Sequence, residues 1–406
     1  MCVRIAGNRL SDSNLCNNHQ AQARMTTLPG SMPQQTIAIF SVSAGTGHVR
    51  AAEALAATAA QRFPHLRVVH IDLMTLVPPL FRKVYAESYF PLVEHHPVLW
   101  GYLYQKSDRR KLNSSTDKLR IAIERLNTQK LKAVLREIQP DFVICTHFLP
   151  AELFSRWRRK KLFTKPVWLV VTDFDVHMLW VHKHLSGYCV ASDEVAWRLE
   201  DRGVERDDIH VTGIPIMPAF SAKPQRMECA RELGLDPTLP TLLLMSGGAG
   251  VGRIQALARR LLSIDRPLQL IALAGKNTRL LADLQKLAKD HPGRMIPMGF
   301  TTTIERVMAA SDLAITKSGG LTTSECLALG LPMIVVSPIP GQEERNADYL
   351  LEHGAAFKAY DDAGLEFRVR QLLQNQQQMQ TMQANALKLG MPRAAEEILD
   401  QVLEGS

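Results

Sequence analysis

A histidine stands directly behind a glycine turn in "SVSAGTGHVRAAEAL" (Ser41 to Leu55). The run before it, "TIAIF" (Thr36 to Phe40), reads as a buried strand, and the Ala-rich run after it reads as a helix. Strand, glycine turn and helix start together bring a ligand up to bare backbone N–H groups. The third glycine of G-x-G-x-x-G is missing and no Lys-Ser/Thr follows, so the stretch is neither a dinucleotide fingerprint nor a P-loop. What it presents is an imidazole, His48, at the carboxyl end of a strand. An imidazole of near-neutral pKa is a proton acceptor, or a relay to a carboxylate. The plainer role for the same residue is helix N-terminal capping. Asp173 in "VVTDFDVH" ends another strand and reaches the same rim, as orienter, alternative base or simple turn carboxylate.

A second constellation lies in "DLAITKSGGLTTSECLALG" (Asp312 to Gly330). An apolar strand runs through Lys317 and Ser318 into Gly319 and Gly320, and a helix of small residues starts with Leu321 and Thr322. Bare amides at that helix start, with the positive end of the dipole, suit a phosphate or diphosphate. Glu325 lies about one turn inside, where a bidentate, acceptor-only carboxylate suits the two hydroxyls of a ribose, or merely balances the dipole. "PIPGQEERN" ends the next strand, and its Gln342, Glu343 and Asn346 suit the hydroxyls of a sugar, unless this is an ordinary polar loop. "MSGGAGVGR" (Met245 to Arg253) is a third strand–glycine–helix junction, with Gly247 and Gly248 at its turn. Glycine there also has a purely conformational explanation.

These motifs must be carried by strand ends. Six strand-like runs occur from Thr36: "TIAIFSV", "RVVHIDL", "DFVICTH", "PVWLVVTD", "GYCVAS" and "DIHVTG". After "GIPIMPAFSAKPQRM", whose three prolines read as a linker, six more follow: "TLLLMSGG", "LQLIALAG", "RMIPMGF", "LAITKSGG", "PMIVVSP" and "AAFKAY". Two successive βαβ series imply an α/β protein with two doubly wound parallel sheets, each binding at the carboxyl ends of its strands. The expected divisions are a disordered tail (1–35), a first domain (36–213), a linker (214–240), a second domain (241–375) and a helical tail (376–406).

The chain has 406 residues, 46% of them hydrophobic, which suits two ordinary cores. A net charge of +8 suits an acidic partner. The six Cys (2, 16, 145, 189, 229 and 326) show neither CxxC nor zinc spacing, so neither a disulfide framework nor a structural metal is expected. No apolar run approaches a membrane span, and the first 35 residues lack the apolar core of a secretory signal. The stretch from Val77 to Asn113 mixes Tyr, Phe and Trp with a basic end at Arg109, Arg110 and Lys111, which suits a lipid interface or a hairpin packed on its own domain. "RWRRKK" (Arg156 to Lys161) is a second basic cluster around a Trp, usually just a solvated helix face.

"ITKSGGLTTSE" and "GLPMIVVSPIPGQEERNADYL" resemble the G-[PG]-x-T-x-x-E and P-G-Q-E-x-x-N elements of the glycosyltransferases that make glycolipids, the monogalactosyldiacylglycerol synthases and bacterial processive diacylglycerol glucosyltransferases. "SAGTGHVRAAEAL", "ICTHFLPAE", "VTDFDVHMLWVH" and "VTGIPI" match in order, and the resemblance covers roughly residues 36 to 375. It implies a GT-B fold, two Rossmann-like domains facing a central cleft. The first would dock peripherally on the cytoplasmic face of the cell membrane, an anionic surface, and bind a lipid acceptor. The second would bind a UDP-sugar co-substrate, with inversion at the anomeric carbon and no tightly bound metal. Carried over, His48 belongs to the base machinery, Phe300 stands near the uracil, Ser318 to Thr322 at the diphosphate, Glu325 at the ribose, and Gln342, Glu343 and Asn346 at the sugar. Lys317 or Arg253 would stand near the diphosphate, and the turn at Gly247 and Gly248 is able to receive the substrate or the diphosphate from the other side. Gly47, His147, His177 and Trp180 fall on the acceptor side, although His177, Trp180 and His182 also read as a helix face packed on the core. Departures from the plant pattern at the two glycine turns leave the sugar open. A sugar-nucleotide epimerase of the UDP-N-acetylglucosamine 2-epimerase kind shares this fold expectation but needs no membrane surface. A nucleic-acid binder fits the charge, but no recognisable nucleic-acid module is present.

Overall fold

The computed structural model describes residues 35–43, 45–78, 108, 128–245 and 253–405. Each of the twelve segments read as strands is one. The first sheet contains β1 (Thr36–Ser41), β2 (Arg67–Asp72), β3 (Phe142–Cys145), β4 (Val167–Val170), β5 (Gly187–Val190) and β6 (Ile209–Val211), in the order β2-β1-β3-β4-β5-β6. The second contains β7 (Thr241–Leu244), β8 (Gln269–Leu273), β9 (Met295–Met298), β10 (Leu313–Thr316), β11 (Met333–Val336) and β12 (Ala356–Ala359), in the order β12-β11-β10-β7-β8-β9. All the pairings are parallel.

Parallel strands are covered on both faces, which is why they read as unbroken apolar runs. Along β1 the side chains alternate between two cores: Ala38 and Phe40 pack into one, Ile37 and Ile39 into the other. Leu243 of β7 likewise faces one core of the second sheet, and Leu242 and Leu244 the opposite one.

The strand order places the sites. In the first sheet the chain leaves β1 toward β2, then returns to add β3 on the other side of β1. In the second it adds β8 and β9 beside β7, then returns to place β10 on its other flank. Such reversals open a crevice at the strands' carboxyl ends. His48 follows β1, and Thr146 follows β3. Lys317 to Gly320 follow β10, and the loop after β7, with Gly247 and Gly248, lies outside the described residues.

The helix after β1, α1 (Gly47–Arg62), buries Ala51, Ala52, Ala54, Ala56 and Ala59. Its alanines are contact surface as well as good helix formers. After β3 comes α2 (Phe148–Arg159), after β10 comes α3 (Gly320–Leu329), and after β11 comes α4 (Gln342–Glu352). The segment 214–240, expected as linker, holds the short helices Pro218–Ser221 and Arg226–Glu232, and its Ile214, Ile216, Phe220 and Leu235 sit in the core beside the second sheet. That core also includes Ala51, Phe174 and Leu321, so it crosses between the domains. The segment expected as a helical tail forms α5 (Gln376–Leu389) and α6 (Ala394–Glu404). The last helix returns to the first domain and buries Ile398, Leu399 and Val402 against Ile37, Ile39 and Leu55. Each such side chain contributes about 1.5–3 kcal/mol by its burial. Where α5 hands over to α6, Met391 packs on Gly213, whose φ of +85° suits a residue without a Cβ.

Candidate active site

His48 is the second residue of α1, yet its ring does not cap that helix. Its Nδ1 lies 3.0 Å from the Thr146 carbonyl oxygen and 2.9 Å from the Thr172 hydroxyl. A carbonyl only accepts, so Nδ1 carries the proton and Nε2 presents a lone pair. Nε2 has no hydrogen-bond partner among the described residues. Thr146 grips the residue twice, because its hydroxyl also donates to the His48 carbonyl at 2.8 Å. Desolvation by the surrounding protein pushes the His48 pKa down to about 4, against the opposing pull of the Thr146 carbonyl. The ring is therefore neutral at physiological pH, the form that can take a proton.

An aromatic wall stands beside it. His147 meets His48 edge-on with centroids 4.5 Å apart, and Trp180 lies 6.0 Å from His48. His147 is buried and caps α2, its Nδ1 accepting from the Leu149 N–H at 3.0 Å. Burial, with His48 adding to it, holds its pKa well below the ordinary imidazole range. His177 is also buried and heads the turn Met178–Trp180, its Nδ1 accepting from the Leu179 N–H at 3.1 Å. Of the residues expected on the acceptor side, Gly47, His147 and Trp180 are thus grouped with His48, and both histidines have a structural task as well. His182 is tied to Glu152 at 3.0 Å.

Asp173 follows Thr172 at the end of the β4 segment, but it does not orient His48; Thr146 and Thr172 do. Its Oδ1 accepts from the Asn346 amide at 3.0 Å. Burial pushes its carboxyl up to about 7, Glu343 and Asp175 add to the push, and Asn346 opposes it.

The start of α3 faces this group directly. A Cβ on Gly320 would lie 2.0 Å from the Thr172 carbonyl oxygen, and one on Gly47 would touch Leu321 at 3.6 Å. Glu325 is buried one turn inside α3 and lies 3.9 Å from the Arg50 guanidinium of α1. Burial raises its pKa to about 7, Arg50 opposes the rise, and Glu305 adds to it. Ser318 is buried and donates to the Glu343 carbonyl at 2.6 Å, while the Glu343 carboxylate accepts from the Ile339 N–H at 2.6 Å. Burial raises the Glu343 pKa, countered by that N–H and by Lys317. Lys317 also lines a cavity of about 140 Å³ with Met245, Ser337 and Tyr360. Thr322 and Gln342 stay partly accessible on the first turns of α3 and α4. Phe300 is 60% exposed beneath the Lys276 ammonium, 5.2 Å from the ring centre. Arg253, expected near the diphosphate, lines the same cavity as Lys317, and its guanidinium is bound to Asp362 at 2.7 Å.

Residues 48–216 match the monogalactosyldiacylglycerol (MGDG) synthase family, and residues 246–398 match the glycosyltransferase family 28 C-terminal domain. A processive diacylglycerol beta-glucosyltransferase from Bacillus thuringiensis is 30% identical over 373 residues, covering 91% of this chain and 93% of that protein. The chain belongs to this family of glycolipid-forming glycosyltransferases. The solved MurG of Acinetobacter baumannii shares the fold at a TM-score of 0.60 and 17% identity, over 92% of this chain and 100% of that one. The UDP-GlcNAc 2-epimerase of Neisseria meningitidis, bound to UDP-GlcNAc, does so at a TM-score of 0.58 and 13% identity, over 91% and 100%. The two six-stranded parallel sheets are thus the GT-B fold.

Within this family framework, sequence reading missed Thr146, Thr172 and Arg50. The signal was present in the first two, each a Thr directly before a singled-out His or Asp at a strand end. Arg50 stood in the opening motif without a partner in view. Among the described residues no group of three His, Cys, Asp or Glu is placed to hold a metal, and no helix is long and apolar enough to cross a membrane. Most of the aromatic insertion, including Arg109, Arg110 and Lys111, lies outside the described residues. In the second basic cluster Trp157 is buried, and Arg159, Lys160 and Lys161 are exposed.

Proposed function

We propose that this chain moves a hexose from a UDP-sugar to diacylglycerol at a membrane surface, inverting the anomeric carbon. The observation that carries the reading is the opposition of His48 and the α3 N-terminus: a neutral imidazole with its Nδ1 pinned stands across a van der Waals seam from bare backbone amides. In this reading the acceptor hydroxyl gives its proton to His48 Nε2 as its oxygen attacks the anomeric carbon. The sugar–phosphate bond breaks in the same displacement, and UDP leaves carrying the electron pair. The amides and dipole at Gly319 to Thr322, with Lys317, receive the diphosphate charge. Glu325 takes the ribose hydroxyls and the exposed Phe300 ring stacks on the uracil. His147 and Trp180 line the acceptor side, and exposed Arg159, Lys160 and Lys161 suit anionic lipid.

The family supports glycosyl transfer to a lipid over epimerisation, because the epimerase likeness is one of fold alone. Purified protein mixed with dispersed diacylglycerol and UDP-glucose or UDP-galactose is expected to yield a glycolipid and free UDP. Absence of product with every common UDP-sugar would defeat the reading. Inversion is read separately, from the anomeric configuration of the product.

A further inference from the structure

Asn346 lies in the "PGQEERN" stretch that sequence reading assigns to the transferred sugar. Its side chain is 0% exposed. Its Oδ1 accepts from the Phe174 N–H at 2.7 Å. Its Nδ2 donates to Asp173 Oδ1 at 3.0 Å and to the Ser318 carbonyl at 2.9 Å. Both amide protons and one acceptor site are thus committed to protein. A buried amide this fully engaged has almost nothing left to offer a sugar hydroxyl.

The partners are as informative as the count. Asp173 and Phe174 belong to the first domain, and Ser318 belongs to the loop that opens α3. The neighbouring Thr172 holds His48 Nδ1 through its hydroxyl, and its carbonyl rests on Gly320. One short turn, Thr172 to Phe174, therefore touches the imidazole on one side and the phosphate-facing loop on the other. A planar amide with two donors and an acceptor suits this junction. An aspartate of the same shape would lose both donations and oppose Asp173.

We propose that Asn346 is a positioning residue that clasps the Thr172–Phe174 turn to the Ser318 loop and so fixes His48 relative to the donor, instead of binding the transferred sugar. This rests on the function proposed above and assigns a different task within the same site. The clasp acts on the geometry of transfer, so its loss lowers kcat and leaves nucleotide recognition largely in place.

The test compares Asn346→Asp, Thr172→Val and Thr172→Ser with wild type. Transfer to dispersed diacylglycerol is followed with whichever of UDP-glucose and UDP-galactose turns over, and UDP affinity is measured by calorimetry. Asn346→Asp and Thr172→Val are each expected to lower kcat by at least about tenfold, with donor KM and UDP Kd within about twofold of wild type. Thr172→Ser keeps the hydroxyl and is expected to retain at least about half of kcat. A raised donor KM in Asn346→Asp, with kcat and UDP Kd intact, makes Asn346 a sugar ligand and overturns the proposal. Unchanged kinetics in that variant overturn it equally. Should Asn346→Asp fail to fold, Thr172→Val decides, and wild-type kcat there refutes the linkage. A wild type that binds no UDP removes the functional reading itself, and the clasp with it.

Discussion

Thr172 and Gly320 meet so closely that the carbonyl oxygen of one occupies the space a side chain on the other would need, 2.0 Å from an ideal Cβ. The contact joins the end of the β4 segment to the first residue of α3. Gly320→Ala must therefore push the domains apart or bend the helix start. We expect a loss of about 1–3 kcal/mol in stability and a fall in transfer of at least about tenfold. Thermal unfolding and a product assay check both, and an active variant of wild-type stability would show that the seam is loose in solution.

His48→Ala is expected to lower kcat by about 10²- to 10⁴-fold while UDP affinity stays near wild type. The pH profile separates the two candidate bases. With a pKa near 4, His48 is already neutral at mild acidity, so kcat at saturating donor should stay flat through neutrality and fall only as pH approaches that value. Asp173, raised to about 7, would produce an acid limb near neutrality if it had to be ionised. A limb there, together with loss of activity in Asp173→Asn, would transfer the role to Asp173.

Glu325 binds its proton more tightly in the folded chain, with a pKa of about 7 against an ordinary 4.5. Between those values the folded state holds a proton that the unfolded chain has released, so this group's contribution to stability falls as pH rises through the window. Glu325→Gln carries no such proton. It should be more stable than wild type at about pH 8, by on the order of 1–3 kcal/mol, with the advantage gone by about pH 4. The same variant should show a smaller rise in melting temperature with UDP, because it loses the acceptor pair proposed for the ribose. A full UDP response would remove that assignment.

Phe300 is mostly exposed, so Phe300→Ala should leave the melting temperature within a degree or two. Its expected effect is a donor KM raised about fivefold or more, as a stacking partner of the base is lost. An unchanged KM would place the uracil elsewhere.

The strands were legible because a parallel sheet covers both faces, and each segment from "TIAIF" to "AAFKAY" is a dense apolar run. The glycine turns were legible for a related reason: a strand end followed by bare backbone and a helix has few other uses. Contacts between residues far apart in the chain left no local trace. Asn346 carries the hydrogen-bonding groups of a sugar ligand, and nothing near it in the sequence shows that Asp173, Phe174 and Ser318 claim them. The ring of His48 is oriented by Thr146 and Thr172, threonines whose neighbours drew the attention. The final helices read as a Gln-rich tail because their polar faces dominate the pattern, while Ile398, Leu399 and Val402 find their partners in β1 and α1.

Gly213 and Met391 mark the two places where the backbone passes from one lobe to the other, and they lie against each other. The molecule is therefore bound like a book, with both threads running down a single spine. A bulkier side chain at position 213 would press on both threads at once, where Met391 now fills the space beside the glycine.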